Sequence, residues 1–379
     1  MTSEAAVAGP AWLRSWVAAS VDALALARLE IDALNVFPVP DGDTGTNLYL
    51  TMTSAWQALD KASREGATSM ASAAAATSRG ALIGARGNSG VILAQMLHGA
   101  VDEIAQAGDD VAWSTARLAR ALQRACDEGY RAVGQPMEGT ILSVARAAAD
   151  AAAATVDATA HDAHSVWHVA EAAVDAAHEA LARTTDQLEV LRRAGVVDAG
   201  GRGLVVVLES LVASLRGLAP DQPRLEVDFE VSAVGPKADY SGPQYEVMFL
   251  IEAEDVDGLR GELLHLGDSL VVVGSAGLWN VHVHVDDAGA ALEAAMAWGR
   301  PTNIRITYLS ADMSAAEGVH VGRELVVVTH GAGMARLLDG LQVFPQRMLD
   351  NLWSSHGLVF SQPVLLGLVQ AGMARDDAY

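Results

Sequence analysis

The segment Asn35-Val-Phe-Pro-Val-Pro-Asp-Gly-Asp-Thr-Gly-Thr-Asn47 carries the clearest chemistry in the chain. Asp41 and Asp43, one glycine apart, can each offer an oxygen to Mg²⁺, a hard cation held by one or two carboxylates together with substrate phosphates. Pro38 and Pro40 restrict φ ahead of the pair, and Gly42 and Gly45 leave room for a ligand to approach. For a bare Asp-Gly-Asp-Thr-Gly, an aspartate-rich turn capping the helix that starts near Asn47 is the simpler reading. A second string, Gly84-Ala-Arg-Gly-Asn-Ser-Gly90, runs into the apolar stretch Val91 to Leu97. Backbone N–H groups at such a helix start form an anion site, and Ser89 can cap the helix or bind a phosphate. His282 and His284 alternate along a strand, so both imidazoles face one side; they can share a metal ion or simply line a polar face. His161, His164 and His168 read as a solvated helical face, and Cys126 as a core residue with no neighbouring base to activate it.

Positioning these groups needs two kinds of element. From Pro10 to about Gly217 the chain reads as helical, with apolar residues at helical spacing such as Leu204, Leu208, Leu211 and Leu215. Glycine and proline mark the breaks, including Gly134 to Gly139 and Gly195 to Gly203. Residues 219–243, punctuated by Pro220, Pro223, Pro236 and Pro243, read as a linker after a domain over 10–218. Over 244–310 the order strand–helix–strand–strand–helix–strand is the split βαβ pattern of a ferredoxin-like domain. A strand and helix over 322–341 read as the start of a third, α/β domain.

The composition narrows the function classes. The 379 residues hold 25 basic and 47 acidic side chains, a net charge of −22, which argues against nucleic acid because clustered cations are absent. Any phosphate must therefore be held by backbone N–H groups, a few arginines and metal ions. A single cysteine excludes an internal disulfide and fits a reducing compartment. The N-terminus lacks a basic region ahead of an apolar run, so no signal peptide is expected. The longest uncharged stretch, Asn351 to Ala374, is broken by Ser354, Ser355, His356, Gln362 and Pro363. No membrane span and a cytoplasmic location are therefore expected.

As a whole, the string from Asn35 to Asn47 closely resembles the signature of the DhaL-type nucleotide-binding domain of dihydroxyacetone kinase and of the ATP-binding subunit of bacterial fatty acid kinase. Its Pro-Val-Pro form is similar to the fatty acid kinase branch. The resemblance implies that Asp41 and Asp43 hold Mg²⁺ ions against the phosphates of ATP, with Thr44, Thr46 and Asn47 at the nucleotide. Where the dihydroxyacetone kinase branch has a third aspartate, the nearest residue is Asn35, neutral and one position out of register. The Asn88-Ser89-Gly90 segment resembles the family's phosphate-binding turn. Pro136-Met-Glu-Gly-Thr-Ile-Leu-Ser143 resembles the border of its adenine pocket, implying roles for Thr140 and Ile141; alone, Thr140 is a helix N-cap. Gly195-Val-Val-Asp-Ala-Gly-Gly-Arg-Gly203 resembles the segment that closes over the nucleotide, through Asp198 and Gly200. Leu181-Ala-Arg-Thr-Thr implies Arg183 as the cation at the transferring phosphate. The His-Val-His strand is similar to one in the fatty acid kinase middle domain that works with a cysteine; Glu246 stands at that cysteine's place. A carboxylate there makes a soft-metal site less apt, and Zn²⁺ is the transition metal to consider for Glu246, His282 and His284.

The implied fold is α+β and multidomain: an all-α barrel of about eight helices, a ferredoxin-like domain, and a truncated α/β stub. From Phe344 onward the pattern instead resembles a fragment of adenylosuccinate lyase, and 342–379 is expected to be a chimeric segment. The implied activity is transfer of the ATP γ-phosphoryl to a fatty acid carboxylate presented by a separate carrier protein, giving an acyl phosphate; a homodimer is a further expectation. Two alternatives stand beside it. One is a glycerone-type kinase component that phosphorylates dihydroxyacetone. The other is a nucleotide-binding protein inactive as a transferase because the carrier-docking domain is missing.

Overall fold

A computed structural model describes residues 7–106, 108, 111–112, 114–158, 165–218, 242–254, 256–275, 277–309 and 324–327. Among the described residues, nine helices follow a short strand β1 (Val7–Ala8): α1 (Pro10–Leu34), α2 (Thr44–Arg64), α3 (Met70–Gly84), α4 (Gly87–Ala105), α5 (Thr115–Ala132), α6 (Ile141–Ala158), α7 (Ser165–Gln187), α8 (Glu189–Ala194) and α9 (Ala199–Leu215). Strand β2 (Val111–Ala112), between α4 and α5, pairs antiparallel with β1. Several starts are written in the sequence: Pro10 occupies the first turn of α1, and the side chains of Ser69 and Ser114 accept from Ser72 N and Arg117 N to cap α3 and α5. Each long helix packs on the next, α7 packs on α9, and α9 returns to α1 to close the cycle. One apolar core fills the assembly, with Leu13, Leu24, Ile31, Leu48, Met52 and Leu142 fully buried.

The closeness of the helices depends on missing side chains. A Cβ on Gly45 would penetrate the carbonyl oxygen of Arg28 and lie 3.0 Å from Asp32 Oδ1, so α2 starts against the backbone of α1 only because residue 45 is glycine. The sequence reading assigned Gly45 to ligand approach; its role in the fold is helix packing. Gly42, by contrast, has φ +69° and serves the turn itself.

Asp198 ties three helices together. Its carboxylate accepts from Gly201 N at 2.6 Å, capping α9, and from the backbone N–H of Ile141 at the start of α6. Its own N–H donates to Thr184 Oγ1 of α7 at 3.0 Å, while Thr185 Oγ1 donates to Val196 O. Burial pushes the Asp198 carboxyl up to about 6, against the two backbone donors.

The remaining described elements form a second layer. Strand β3 (Tyr245–Glu252), helix α10 (Val256–Leu264), strands β4 (Gly267–Ser275) and β5 (Leu278–Val285), helix α11 (Ala288–Met296) and strand β6 (Pro301–Tyr308) follow in order, then β7 (Glu324–Val327). The sheet order is β4-β5-β3-β6-β7, with every pair antiparallel. Strand parity sorts the side chains. Val247, Phe249, Ile251, Val272, Val281 and Val283 form a core with Leu259 and Leu263 of α10 and Ala291 and Ala295 of α11. Met248, Val271 and Val273 point the other way, into the core of the helical domain. Polar contacts lock the layers: Asn280 Nδ2 donates to Leu82 O (2.8 Å), Gly134 N to Leu270 O (3.0 Å), and Arg260 Nη1 to Arg131 O (2.9 Å).

Within the segment expected to start a third domain over 322–341, β7 is the edge strand of this sheet, Ile304 pairing with Val327 and Thr307 with Glu324. The outer edge of β6 presents unpaired backbone groups, and a β-rich segment satisfies them. Residues 328–379, including the lyase-like stretch, lie outside the described residues, as do His161 and His164.

Two outcomes follow. Gly45→Ala should destabilise the protein by about 1–3 kcal/mol through overpacking, whereas Gly261→Ala, in open space on α10, should stabilise it by up to about 1 kcal/mol; thermal midpoints check both. Because the folded Asp198 carboxyl lies near 6 against an ordinary value of 3.8, its favourable contribution is complete below about pH 4 and lost as pH rises through 6. Relative to Asp198→Asn, the wild type should therefore lose roughly 3 kcal/mol between pH 4 and pH 7, read from denaturation midpoints of both proteins across that range.

Candidate functional site

The loop joining α1 to α2 carries the paired aspartates. Asp43 occupies the N-cap position of α2, yet its side chain makes no capping hydrogen bond. That work is done from α1 by Asp32, buried at 4 % exposure, whose Oδ1 accepts from Thr46 N at 2.9 Å and Oδ2 from Thr46 Oγ1 at 2.8 Å. The aspartate pair is thereby released from capping, which answers the simpler reading of the Asp-Gly-Asp string. Asn35 braces the loop from within: its Nδ2 donates to Val39 O at 2.6 Å and to Asp41 Oδ1 at 2.9 Å, and its Oδ1 accepts the Thr44 hydroxyl. The hydroxyls of Thr44 and Thr46 are thus engaged inside the loop, and both residues are buried.

This arrangement crowds negative charge. Burial first, then the neighbouring Asp41 and then Glu246, pushes the Asp43 carboxyl well above the usual carboxylate range; a hydrogen bond from the Asn47 side chain opposes the shift. Like charges at a partly buried point are the setting in which a bound divalent cation is favourable, and the oxygen-only donor set suits Mg²⁺.

The other predicted strings fall around the same end of the helices in differing degree. The first turn of α4 lies directly on α2, because a Cβ on Gly90 would enter the space of Thr51 Oγ1 and approach Asn47 O at 3.3 Å. This brings the N-terminal turns of α2 and α4 side by side, and a helix start presents N–H groups that have no partner within the helix. Asn88 Oδ1, in that turn, is buried without a hydrogen-bond partner among the described residues. Thr140 caps its own segment, donating to Met137 O at 2.8 Å and accepting from Leu142 N at 3.3 Å, while Ile141 is buried. Asp198 and Gly200 meet Ile141: Gly200 has no room for a side chain larger than a methyl against Ile141 Cβ. Arg183 is on the exposed side of the last turns of α7, with Nη1 3.7 Å from Glu179 Oε2, and no contact joins it to the aspartate loop among the described residues. A cation that sequence reading missed is closer: Arg28 Nη1 donates to Thr46 Oγ1 at 3.3 Å. Its only signal was helical spacing, four residues before Asp32 on α1.

Glu246, His282 and His284 share the sheet face that meets the helical domain. In the ladder Glu246 sits opposite His284 and Met248 opposite His282. The two Nε2 atoms are 3.0 Å apart, His282 Nδ1 is 3.4 Å from Glu246 Oε1, and His284 Nδ1 is 3.8 Å from Asp268 Oδ1. One ligand atom from each of the three residues lies within 4.8 Å of the others, and the Nδ1 atoms of both histidines lack hydrogen-bond partners among the described residues. Burial pushes both imidazoles down to about 3, so both are neutral at pH 7, the form that coordinates metals. Geometry and protonation fit a divalent ion.

Elsewhere, His168 is exposed with its ring tilted at 42° to that of Trp167, and the buried Cys126 thiol is pushed up to about 11, which leaves it unreactive. A cavity of about 450 Å³ lies between α3, α4 and the β4–β5 hairpin, lined by Arg79, Leu82, His98, Asp102 and Leu278; it contains none of the predicted residues. Among the described residues no helix is long and apolar enough to cross a membrane.

Comparison with known proteins accounts for both layers. Residues 38–213 match the DAK2 domain, and residues 242–316 match the FakA-like middle domain of fatty acid kinase. Protein YloV of Bacillus subtilis (strain 168) is 37 % identical over 291 residues, covering 73 % of this chain and 51 % of YloV. An uncharacterized protein of Staphylococcus epidermidis (strain ATCC 12228) is 30 % identical over 338 residues, 82 % of this chain and 59 % of that protein. The chain thus spans about half the length of the curated relatives it matches. Among solved structures, a dihydroxyacetone kinase from C. freundii in complex with AMP-PNP and Mg²⁺ aligns over 56 % of this chain and 35 % of its own, at 20 % identity and a TM-score of 0.39. By these matches the helical region is similar to DAK2 domains and the sheet region to FakA-like middle domains.

Proposed function

We propose that this chain is the ATP-binding, phosphoryl-transferring subunit of a kinase whose acceptor is a fatty acid carboxylate held by a separate carrier protein. The observation that carries the reading is the aspartate loop. Asp41 and Asp43 are released from helix capping, crowded by like charge and placed beside two helix N-termini. Under this reading Asp41 and Asp43 hold Mg²⁺. Asn88, Ser89 and Gly90 receive the phosphates of ATP, and Thr44, Thr46 and Asn47 hold the shape of the nucleotide-side loop beside them. Thr140 and Ile141 border the adenine, and Asp198 and Gly200 hold that border in place. Arg28, already turned toward Thr46, joins Arg183 as a candidate cation for the transferring phosphoryl. The ring of helices then corresponds to a DhaL-type barrel and the sheet with α10 and α11 to a ferredoxin-like domain.

When bound, Mg-ATP supplies the transferable γ-phosphoryl and partly neutralises its charge. A carboxylate acceptor is already ionised at pH 7, so the chain need provide no general base; its residues bind, align and neutralise. An acceptor oxygen forms the new P–O bond as the bond to the β-phosphate bridge oxygen breaks, giving acyl phosphate and ADP. The match of residues 242–316 to a FakA-like domain supports a carboxyl acceptor over dihydroxyacetone. The Glu246–His282–His284 group is read as a second divalent-metal site, with Zn²⁺ as candidate; two imidazoles and a carboxylate are donors that suit that ion.

Calorimetric titration of Mg-ATP should show binding to the wild type that weakens at least about 100-fold, or about 3 kcal/mol, in Asp41→Ala/Asp43→Ala. Equal affinity in a folded double variant would sink the loop assignment. In the presence of ATP and a fatty-acid-loaded carrier, hydroxylamine should trap a hydroxamate; ATP turnover with dihydroxyacetone and none with the loaded carrier would assign a hydroxyl acceptor instead.

A further inference from the structure

The cavity between α3, α4 and the β4–β5 hairpin, about 450 Å³, is of the size that holds a small organic molecule, roughly 300–1,000 Å³. Its floor is apolar: Ala74, Leu82 and Ala94 are buried, and Leu278 of the hairpin closes one side. The polar lining residues differ in whether they already have partners. Asp102 Oδ2 accepts from Gln106 Nε2 at 3.0 Å, and Gln95 Nε2 donates to Glu128 Oε2 at 3.1 Å. By contrast, the side chains of Ser78, Arg79 and His98, all three lining the same space, make no hydrogen bond or ion pair among the described residues. A serine inside a helix often returns its hydroxyl to the carbonyl one turn back, as Thr77 Oγ1 does to Ala73 O at 2.8 Å; Ser78 does not. Arg79 is exposed, while Ser78 and His98 are half-buried. Three groups able to donate thus stand nearer the mouth of a cavity whose floor is hydrocarbon.

We propose that this cavity binds a monocarboxylate with a short aliphatic chain, its head held by Arg79 together with Ser78 and His98 and its chain laid against Ala74, Leu82, Ala94 and Leu278. A guanidinium matches a planar carboxylate through two parallel N–H···O bonds. A single free cation, with the Asp102 charge on the same lining, balances one negative charge and disfavours a dianion such as a phosphate monoester. The apolar floor in turn selects against small, wholly polar anions. On α4 the cavity uses Ala94 to Gln106, beyond the first turn that carries Ser89, and it includes neither the paired aspartates nor the imidazole pair. The inference is therefore independent of the ATP reading.

The test is a calorimetric titration of octanoate into the full chain, without nucleotide or added divalent metal. One saturable equivalent is expected. Arg79→Gln should weaken octanoate about tenfold or more, and octanol, which keeps the chain and lacks the charge, should bind the wild type about tenfold more weakly than octanoate. Ala75→Phe, at an exposed position in the lining, should remove binding at concentrations that saturate the wild type. Asp102→Asn should tighten octanoate about two- to fivefold by deleting a like charge. The proposal is overturned if octanoate shows no saturable binding to the wild type, or if either Arg79→Gln or Ala75→Phe keeps wild-type affinity. Octanol binding as well as octanoate would reduce the site to an apolar cleft and overturn the carboxylate assignment. Tighter binding of octyl phosphate than of octanoate would assign a phosphate head instead. Arg79 and Ala75 are both exposed, so their variants should melt like the wild type, which thermal midpoints check.

Discussion

Asp32 decides what the aspartate loop can do. A helix start leaves N–H groups without partners, and the residue at the N-cap position ordinarily supplies the acceptor. In α2 that position is Asp43, and had its carboxylate turned inward the loop would be a cap and nothing more. Asp32 reaches across from α1 to take both the N–H and the hydroxyl of Thr46. The approach needs α1 and α2 in close contact, which the absent side chain of Gly45 permits, and a loop held taut by Asn35. The carboxylates spared from capping, the side-by-side helix N-termini and the candidate cation site all follow from that substitution of one capping group for another.

The sheet is bound to this end of the helices by its own alternation. One face of β3, β4 and β5 is valine-, phenylalanine- and isoleucine-rich and takes α10 and α11; the other mixes Met248, Val271 and Val273 with Asn280, His282, His284 and Glu246. The apolar members of that second face join the helical core, so the polar members are carried inward with them. Burial keeps the imidazoles neutral and raises the cost of leaving the carboxylates unneutralised. A middle domain on a flexible tether would create neither condition. The polar bonds from Asn280, Gly134 and Arg260 to backbone groups across the junction fix its register.

Much of the molecule was legible in the residues themselves. Helical spacing with glycine and proline breaks announced the helical region, and the change of period announced the strands after residue 244. Strand β7 was legible as a strand but not as part of this sheet, because which edge a strand joins depends on which backbone groups are left unpaired elsewhere. Thr44 and Thr46 looked like ligand contacts from their place in the motif; their hydroxyls are engaged by Asn35 and Asp32, the first paired with Thr44 by the fold of the loop and the second lying outside the motif on α1. Arg28 was invisible for the same reason, and Arg183, placed by resemblance, sits on an exposed helix face beside Glu179.

By itself, then, the amino-acid sequence determined the local chemistry: two aspartates on a glycine turn, helix starts rich in N–H donors, and histidines at strand spacing. These depend on neighbours a few residues apart, and covalent geometry with 3.6- and 2-residue periodicity suffices to read them. Only the tertiary structure decided which carboxylate caps α2 and which does not, and brought Glu246 within electrostatic reach of Asp43 across about two hundred residues of chain. Such pairings arise from the packing of whole faces, where one missing Cβ or one parity choice sets the approach of distant segments, and no local pattern encodes that outcome.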